Sequence, residues 1–179
     1  IVRKNGDKEW WKNDKFHREE GPAIIQANGD KEWWFNGKRH REEGPAIIKP
    51  TGHKEWWFNG KRHREYGPAI ECSEGYKAWY RNGKRHREDG PAAEYPDGEE
   101  GWYRNGNLHR EDGPAIEGPS GEEEWYLNGI EFEKEVFYFI MERKRRLSLK
   151  YWLKWTDYVM NPNTDRGKRY ANRQFDKLV

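Results

Sequence analysis

Apolar and polar positions along the chain repeat every 23 residues. A tryptophan falls at Trp10, Trp33, Trp56, Trp79, Trp102 and Trp125, and a second ring follows at Trp11, Trp34, Trp57, Tyr80, Tyr103 and Tyr126. Asn recurs at Asn13, Asn36, Asn59, Asn82, Asn105 and Asn128. His-Arg-Glu begins at His17, His40, His63, His86 and His109, and Gly-Pro-Ala at Gly21, Gly44, Gly67, Gly90 and Gly113. No insertion breaks this register, so about six units filling residues 1–132 are expected to stack directly on one another.

Each unit reads as β structure with two reversals. Asn36-Gly37 separates Lys31–Phe35 from Lys38–Glu42, and both turn residues tolerate the positive φ of a type I′ hairpin. A second turn is expected near Lys49–His53 around Gly52, and near Tyr95–Glu99 around Asp97-Gly98. Between the turns, His40 to Ile48 reads as one strand bent at Gly44-Pro45, since proline cannot donate to a ladder. Two strands per unit place equivalent residues roughly 10 Å apart, giving a ribbon on the order of 50–60 Å long. The expected fold class is mainly β: stacked antiparallel β-hairpins closed by a C-terminal α-helical cap.

Alternation places Trp33 and Trp34 on opposite faces. The first Trp of each unit is expected to stack in a continuous core. The second ring either packs against the neighbouring hairpin or is offered to a partner, which makes Trp34, Trp57, Tyr80 and Tyr103 candidate binding residues.

From Phe132 to about Met160 the pattern changes. Val136, Ile140, Leu147, Tyr151, Trp155 and Tyr158 recur at helical steps, and Asn161-Pro162-Asn163 should end the helix. A second short helix is expected after Asp165, with Tyr170, Phe175 and Leu178 apolar. Residues 133–179 therefore read as a separate basic segment. It either caps the exposed sheet edge or docks on an acidic protein, nucleic acid or anionic membrane, with Arg143, Lys144, Arg145 and Arg146 as the candidate contacts.

Charge sharpens that division. Residues 1–132 carry 22 Lys and Arg against 26 Asp and Glu, whereas 133–179 carry 12 against 6. Hydrophobic residues make up only 33% and charged residues 37%, a balance that usually points to disorder. The 16% aromatic content argues for a folded chain, because each buried ring removes roughly 150–250 Å² from water. Cys72 is the single cysteine, which fits a reducing, intracellular compartment. Ile1 opens the chain already inside the repeat pattern, so further sequence is expected upstream.

The repeated polar residues invite chemistry and then argue against it. Five histidines in register cannot converge on one zinc ion if they stand about 10 Å apart, and His53 lies outside the ladder. An active site needs one asymmetric pocket, whereas His, Arg and Glu recur identically. No phosphate loop, nucleophile elbow or HExxH motif occurs. We therefore expect no enzyme, no metal and no cofactor, and read His-Arg-Glu as a ladder pairing each Arg with an acid of the next unit. Nucleic-acid binding by the repeats is disfavoured, since Glu19, Glu42, Glu65, Glu88 and Glu111 directly follow each Arg.

The stretch Trp79-Tyr80-Arg81-Asn82-Gly83-Lys84-Arg85-His86, followed by Tyr95-Pro96-Asp97-Gly98, resembles MORN (membrane occupation and recognition nexus) repeats. Those repeats normally continue His-Gly-x-Gly, whereas this chain has His86-Arg87-Glu88-Asp89-Gly90-Pro91-Ala92. The variant is most similar to MORN-type proteins of large DNA viruses and phages. The resemblance implies an elongated hairpin scaffold for protein contacts, virion-associated or host-interacting. The alternative expectation is a peripheral adaptor whose tail meets phosphate groups of lipid or nucleic acid. The N-terminal sheet edge is open to end-to-end assembly.

Overall fold

The computed structural model describes residues 1–146. It is mainly β: one twelve-stranded antiparallel sheet of stacked hairpins, five small side hairpins and one C-terminal helix. The units begin at Lys8, Lys31, Lys54, Lys77, Glu100 and Glu123. In the second, Lys31–Glu32 and Ile47–Ile48 pair within the main sheet, while Trp34–Phe35 and Lys38–Arg39 form a separate hairpin. The expected turns are present. Asn36 and Gly37 have φ of 50° and 78°, and Lys49 N–H donates to the His53 carbonyl across the second reversal.

Trp33 is the pivot between the two sheets. Its N–H donates to the Ala46 carbonyl in the main sheet, and its own carbonyl accepts from His40 N–H in the hairpin. The strand is therefore interrupted at the first Trp, yet Trp33 and Trp34 still point to opposite sides. Only in the sixth unit does the chain run straight through, from Glu123 to Leu127.

The continuous strand expected from His40 to Ile48 does not form. The regular strand is Ile47–Ile48 alone, since Gly44 has φ of 101° and the Pro45 carbonyl accepts from Arg41 Nη1 at 3.0 Å.

Nor do the first tryptophans form the core; in the first five units they are half-buried. The completely buried repeated position is the alanine of Gly-Pro-Ala: Ala23, Ala46, Ala69, Ala92 and Ala115. Ala46 N–H donates to the Glu55 carbonyl of the next unit while its carbonyl accepts from Trp33 of its own. Every such alanine thus joins two units through its backbone, with its methyl group wholly out of solvent.

The helix α1, Lys134–Arg146, follows the last strand, Ile130–Phe132, after a single residue. Glu135 in its first turn and a basic last turn both suit the helix dipole. Phe137, Ile140 and Met141 share one face and are buried against Trp125 and Leu127, with Phe132 and Val136 at the margin. The expected continuation to Met160 and the second helix after Asp165 lie outside the described residues. At the other end, Ile1 and Val2 fold back on the first strand: Glu9 N–H donates to the Ile1 carbonyl, and both apolar side chains are exposed.

Phe137 is almost wholly buried in the contact that closes the sheet. Phe137→Ala is expected to cost about 3–5 kcal/mol in urea unfolding, with hydrogen exchange accelerating first in the last unit.

Candidate functional site

The two sides of each hairpin carry different chemistry. On one side the His-Arg-Glu triplet meets the first Trp. Arg18, Arg41, Arg64, Arg87 and Arg110 lie over the rings of Trp10, Trp33, Trp56, Trp79 and Trp102, with Cζ 3.8–4.0 Å from each centroid. Every one also donates from Nη1 to a proline carbonyl four residues on. The intervening glycine makes this possible: a Cβ on Gly67 would lie 3.3 Å from Arg64 Cζ, and on Gly113 only 2.7 Å from Arg110 Cζ.

The expected Arg–acid ladder between units is therefore corrected. Each arginine is first a lid on its own tryptophan, and its acidic contacts are local, such as Arg64 with Glu71 at 2.7 Å and Arg87 with Asp89 at 3.1 Å. A guanidinium is weakly hydrated and planar, so stacking on an indole suits it better than reaching across 10 Å.

The histidines clip consecutive units together. Nδ1 of His17, His40, His63, His86 and His109 accepts from the backbone N–H of Asn36, Asn59, Asn82, Asn105 and Asn128, all at 3.0–3.1 Å. That amide sits in the hairpin turn of the next unit, where no ladder partner is available. Nε2 lies toward the glutamate two residues on, at 3.4 Å for His17 and 3.6 Å for His63.

On the opposite side the four aromatic candidate residues come together. Arg39 Cζ lies 5.1 Å from the Trp34 centroid and 5.3 Å from that of Trp57. Arg62 sits likewise between Trp57 and Tyr80, at 4.9 and 5.6 Å, and Arg85 lies 5.0 Å from Tyr103. Rings and guanidinium groups alternate along the ribbon. All four rings are half-buried, so they both pack on their neighbours and present an edge to solvent.

What accompanies each ring depends on the ring. Glu32 accepts from Trp34 Nε1 at 2.9 Å and Arg39 Nε at 3.1 Å, and Glu55 does the same for Trp57 and Arg62. Where the ring is Tyr80 or Tyr103 there is no indole N–H, and Ala78 or Gly101 stands in place of the glutamate. A Cβ on Gly101 would come within 2.9 Å of the Tyr103 ring. Arg85 instead donates to three phenol oxygens, of Tyr80, Tyr103 and Tyr76, at 3.3, 3.2 and 3.0 Å.

One constellation was not anticipated. His53 Nδ1 lies 3.1 Å from Cys72 Sγ, and Nε2 lies 2.9 Å from Glu55 Oε1. Burial works to raise the Glu55 carboxyl, but hydrogen bonds from His53 and Arg62 outweigh it and hold it below the usual range. Burial pushes the Cys72 thiol up, and Glu74 and Glu55 add to this, so it stays protonated and donates to His53. The separation of 19 residues, the same as in each His–Asn clip, was the available signal. Among the described residues no group of three His, Cys, Asp or Glu side chains is placed to hold a metal ion.

The basic candidates lie in the last turn of α1. Of the four candidate contacts, Lys144 is half-buried and turned onto Glu111. Arg146 pairs with Glu142 at 2.7 Å, Arg143 lies over Phe139, and Arg145 is exposed. No helix among the described residues is long and apolar enough to cross a membrane. No model of a known protein family matches the chain. A comparison with curated proteins finds no match either.

Two measurements follow from this geometry. His63→Ala removes the acceptor for Asn82 N–H and is expected to cost about 1 kcal/mol in urea unfolding, with faster exchange of the Asn82 amide. Glu111 is held down to about 2, first by the His109 hydrogen bond, against the effect of burial, and then by Lys144. Its contribution to stability is complete above the ordinary value of 4.5 and is lost as pH falls toward that lower value. Thermal midpoints between about pH 5 and about pH 2 should fall in the native protein, and fall less in Glu111→Gln.

Proposed function

We propose that this chain is a non-enzymatic, MORN-like scaffold that binds a partner protein along the face carrying Trp34, Trp57, Tyr80 and Tyr103. The observation that carries this reading is the alternating stack of half-exposed rings and guanidinium groups on that face. Aromatic and arginine side chains are the types that dominate protein interfaces, because they bury a large area at little entropic cost. Here the stack holds them in place before any partner arrives, which reduces the ordering cost of association. The histidines and first-ring arginines are engaged in joining and covering the units, which leaves them unsuited to chemistry. Turning Lys144 onto Glu111 weakens the adaptor alternative, since that cation already has a carboxylate.

The test is affinity capture of the full chain from its native cells, followed by mass spectrometry. A protein partner held by aromatic contacts should remain bound at roughly 1 M salt, where the Debye length is about 3 Å. It should be lost, by about tenfold or more, from Trp34→Ala/Trp57→Ala protein that keeps its circular dichroism spectrum. Binding to anionic vesicles or oligonucleotides that disappears steeply with salt would favour the phosphate adaptor instead.

A further inference from the structure

The opposite side of the ribbon changes character between units. The residue after the second ring is Lys12, Phe35, Phe58, Arg81 and Arg104, and a glutamate follows each seven positions later. Lys12 pairs with Glu19 at 3.3 Å, Arg81 with Glu88 at 3.7 Å and Arg104 with Glu111 at 3.9 Å. In the second and third units phenylalanine takes the cation's place. Glu42 then meets only His40 Nε2, at 4.0 Å, and Glu65 only His63 Nε2, at 3.6 Å, among the described residues.

Phe35 and Phe58 are also conspicuously open. Phe35 lies between the His17 and His40 rings, with centroids 4.6 and 5.9 Å away, and Phe58 lies between His40 and His63 at 4.7 and 6.3 Å. They remain 42% and 45% exposed, and Tyr66 beside Glu65 is 86% exposed where the second unit has Glu43. A cleft of about 740 Å³ runs between Phe35 and Phe58, with Glu42 and Glu43 on its rim. The arginines that also border it, Arg18 and Arg41, are committed to Trp10 and Trp33.

Ring faces and carboxylates share one preference: both attract cations. An acidic segment would be repelled, and a purely apolar one would strip water from Glu42 and Glu65 without compensation. Equivalent positions of successive units stand roughly 10 Å apart, the reach of three residues in an extended chain. We propose that Phe35, Phe58, Tyr66, Glu42 and Glu65 form a docking stripe for an extended Lys- or Arg-rich segment of a partner protein, its cations three residues apart. The stripe lies on the side of the ribbon away from the ring–guanidinium stack and functions independently of it.

The fold itself supplies the control substitution. Phe35→Arg/Phe58→Arg installs the pairs that the fourth and fifth units already contain, so the variant should fold as the native chain does. Fluorescence anisotropy of a labelled ten-residue peptide with Lys at every third position, separated by Ser, measures binding to the full chain. The expected result is saturable binding that weakens about tenfold in the Arg variant, and similarly in Glu42→Gln/Glu65→Gln. The same peptide with Glu in place of Lys should not bind. Absence of saturable Lys-peptide binding to the native chain overturns the proposal. So does binding that both variants leave unchanged, which would place the peptide elsewhere on the ribbon.

Discussion

The structure depends on a guanidinium lying over an indole. Each of the first five units keeps a large ring at the point where its chain leaves the main sheet for the side hairpin, too near the surface to be covered by other apolar groups. Arg18, Arg41, Arg64, Arg87 and Arg110 cover it. A cation–π contact contributes about 0.5–2 kcal/mol, depending on how far it is desolvated. The hydrogen bond to the proline carbonyl holds the lid in place, and glycine gives it room. The motif His-Arg-Glu-x-Gly-Pro-Ala thus combines a clip, a lid, the space for the lid, its anchor and a buried spacer.

Covering a ring within each unit does not join units together. That falls to the alanine amides in the main sheet and to the histidine clips at the hairpin turns, which bind both margins of every junction. Each unit therefore depends on its neighbours, and the last one has a neighbour on one side only. No His-Arg-Glu follows Trp125, and the lid there is provided by α1: Phe137 lies 4.8 Å and Tyr138 5.1 Å from its ring, with Lys134 Nζ at 5.3 Å. Helix and arginine are two solutions to the same exposed indole.

Because the units share one backbone, their differences are informative. In the fourth and fifth units Tyr with Ala or Gly replaces Trp with Glu on one face, and in the second and third units Phe with Glu replaces a cation with Glu on the other. The first exchange conserves hydrogen bonding, since the indole N–H and its acceptor leave together. The second does not, since Glu42 and Glu65 remain after their cations have been replaced. Departures of this second kind are where a repeat protein can acquire a partner without disturbing its scaffold.

The 23-residue period, both turns, the opposite sides of Trp33 and Trp34 and the apolar stripe of α1 were determined by the sequence alone. Each rests on local chemistry: positive φ at Asn36-Gly37, alternation along a strand, or helical spacing. What Arg41 touches, where the strand stops and which residue is fully buried were decided only by the tertiary structure. These depend on side chains brought together from separate turns: Arg41 over Trp33, His63 under Asn82, His53 beside Cys72. Charge alone favoured pairing Arg41 with an acid, and hydrophobicity alone favoured burying Trp33 over Ala46. The packed units reverse both preferences: Ala46 is fully buried at the junction, while Trp33 stays half-buried with a planar cation covering it.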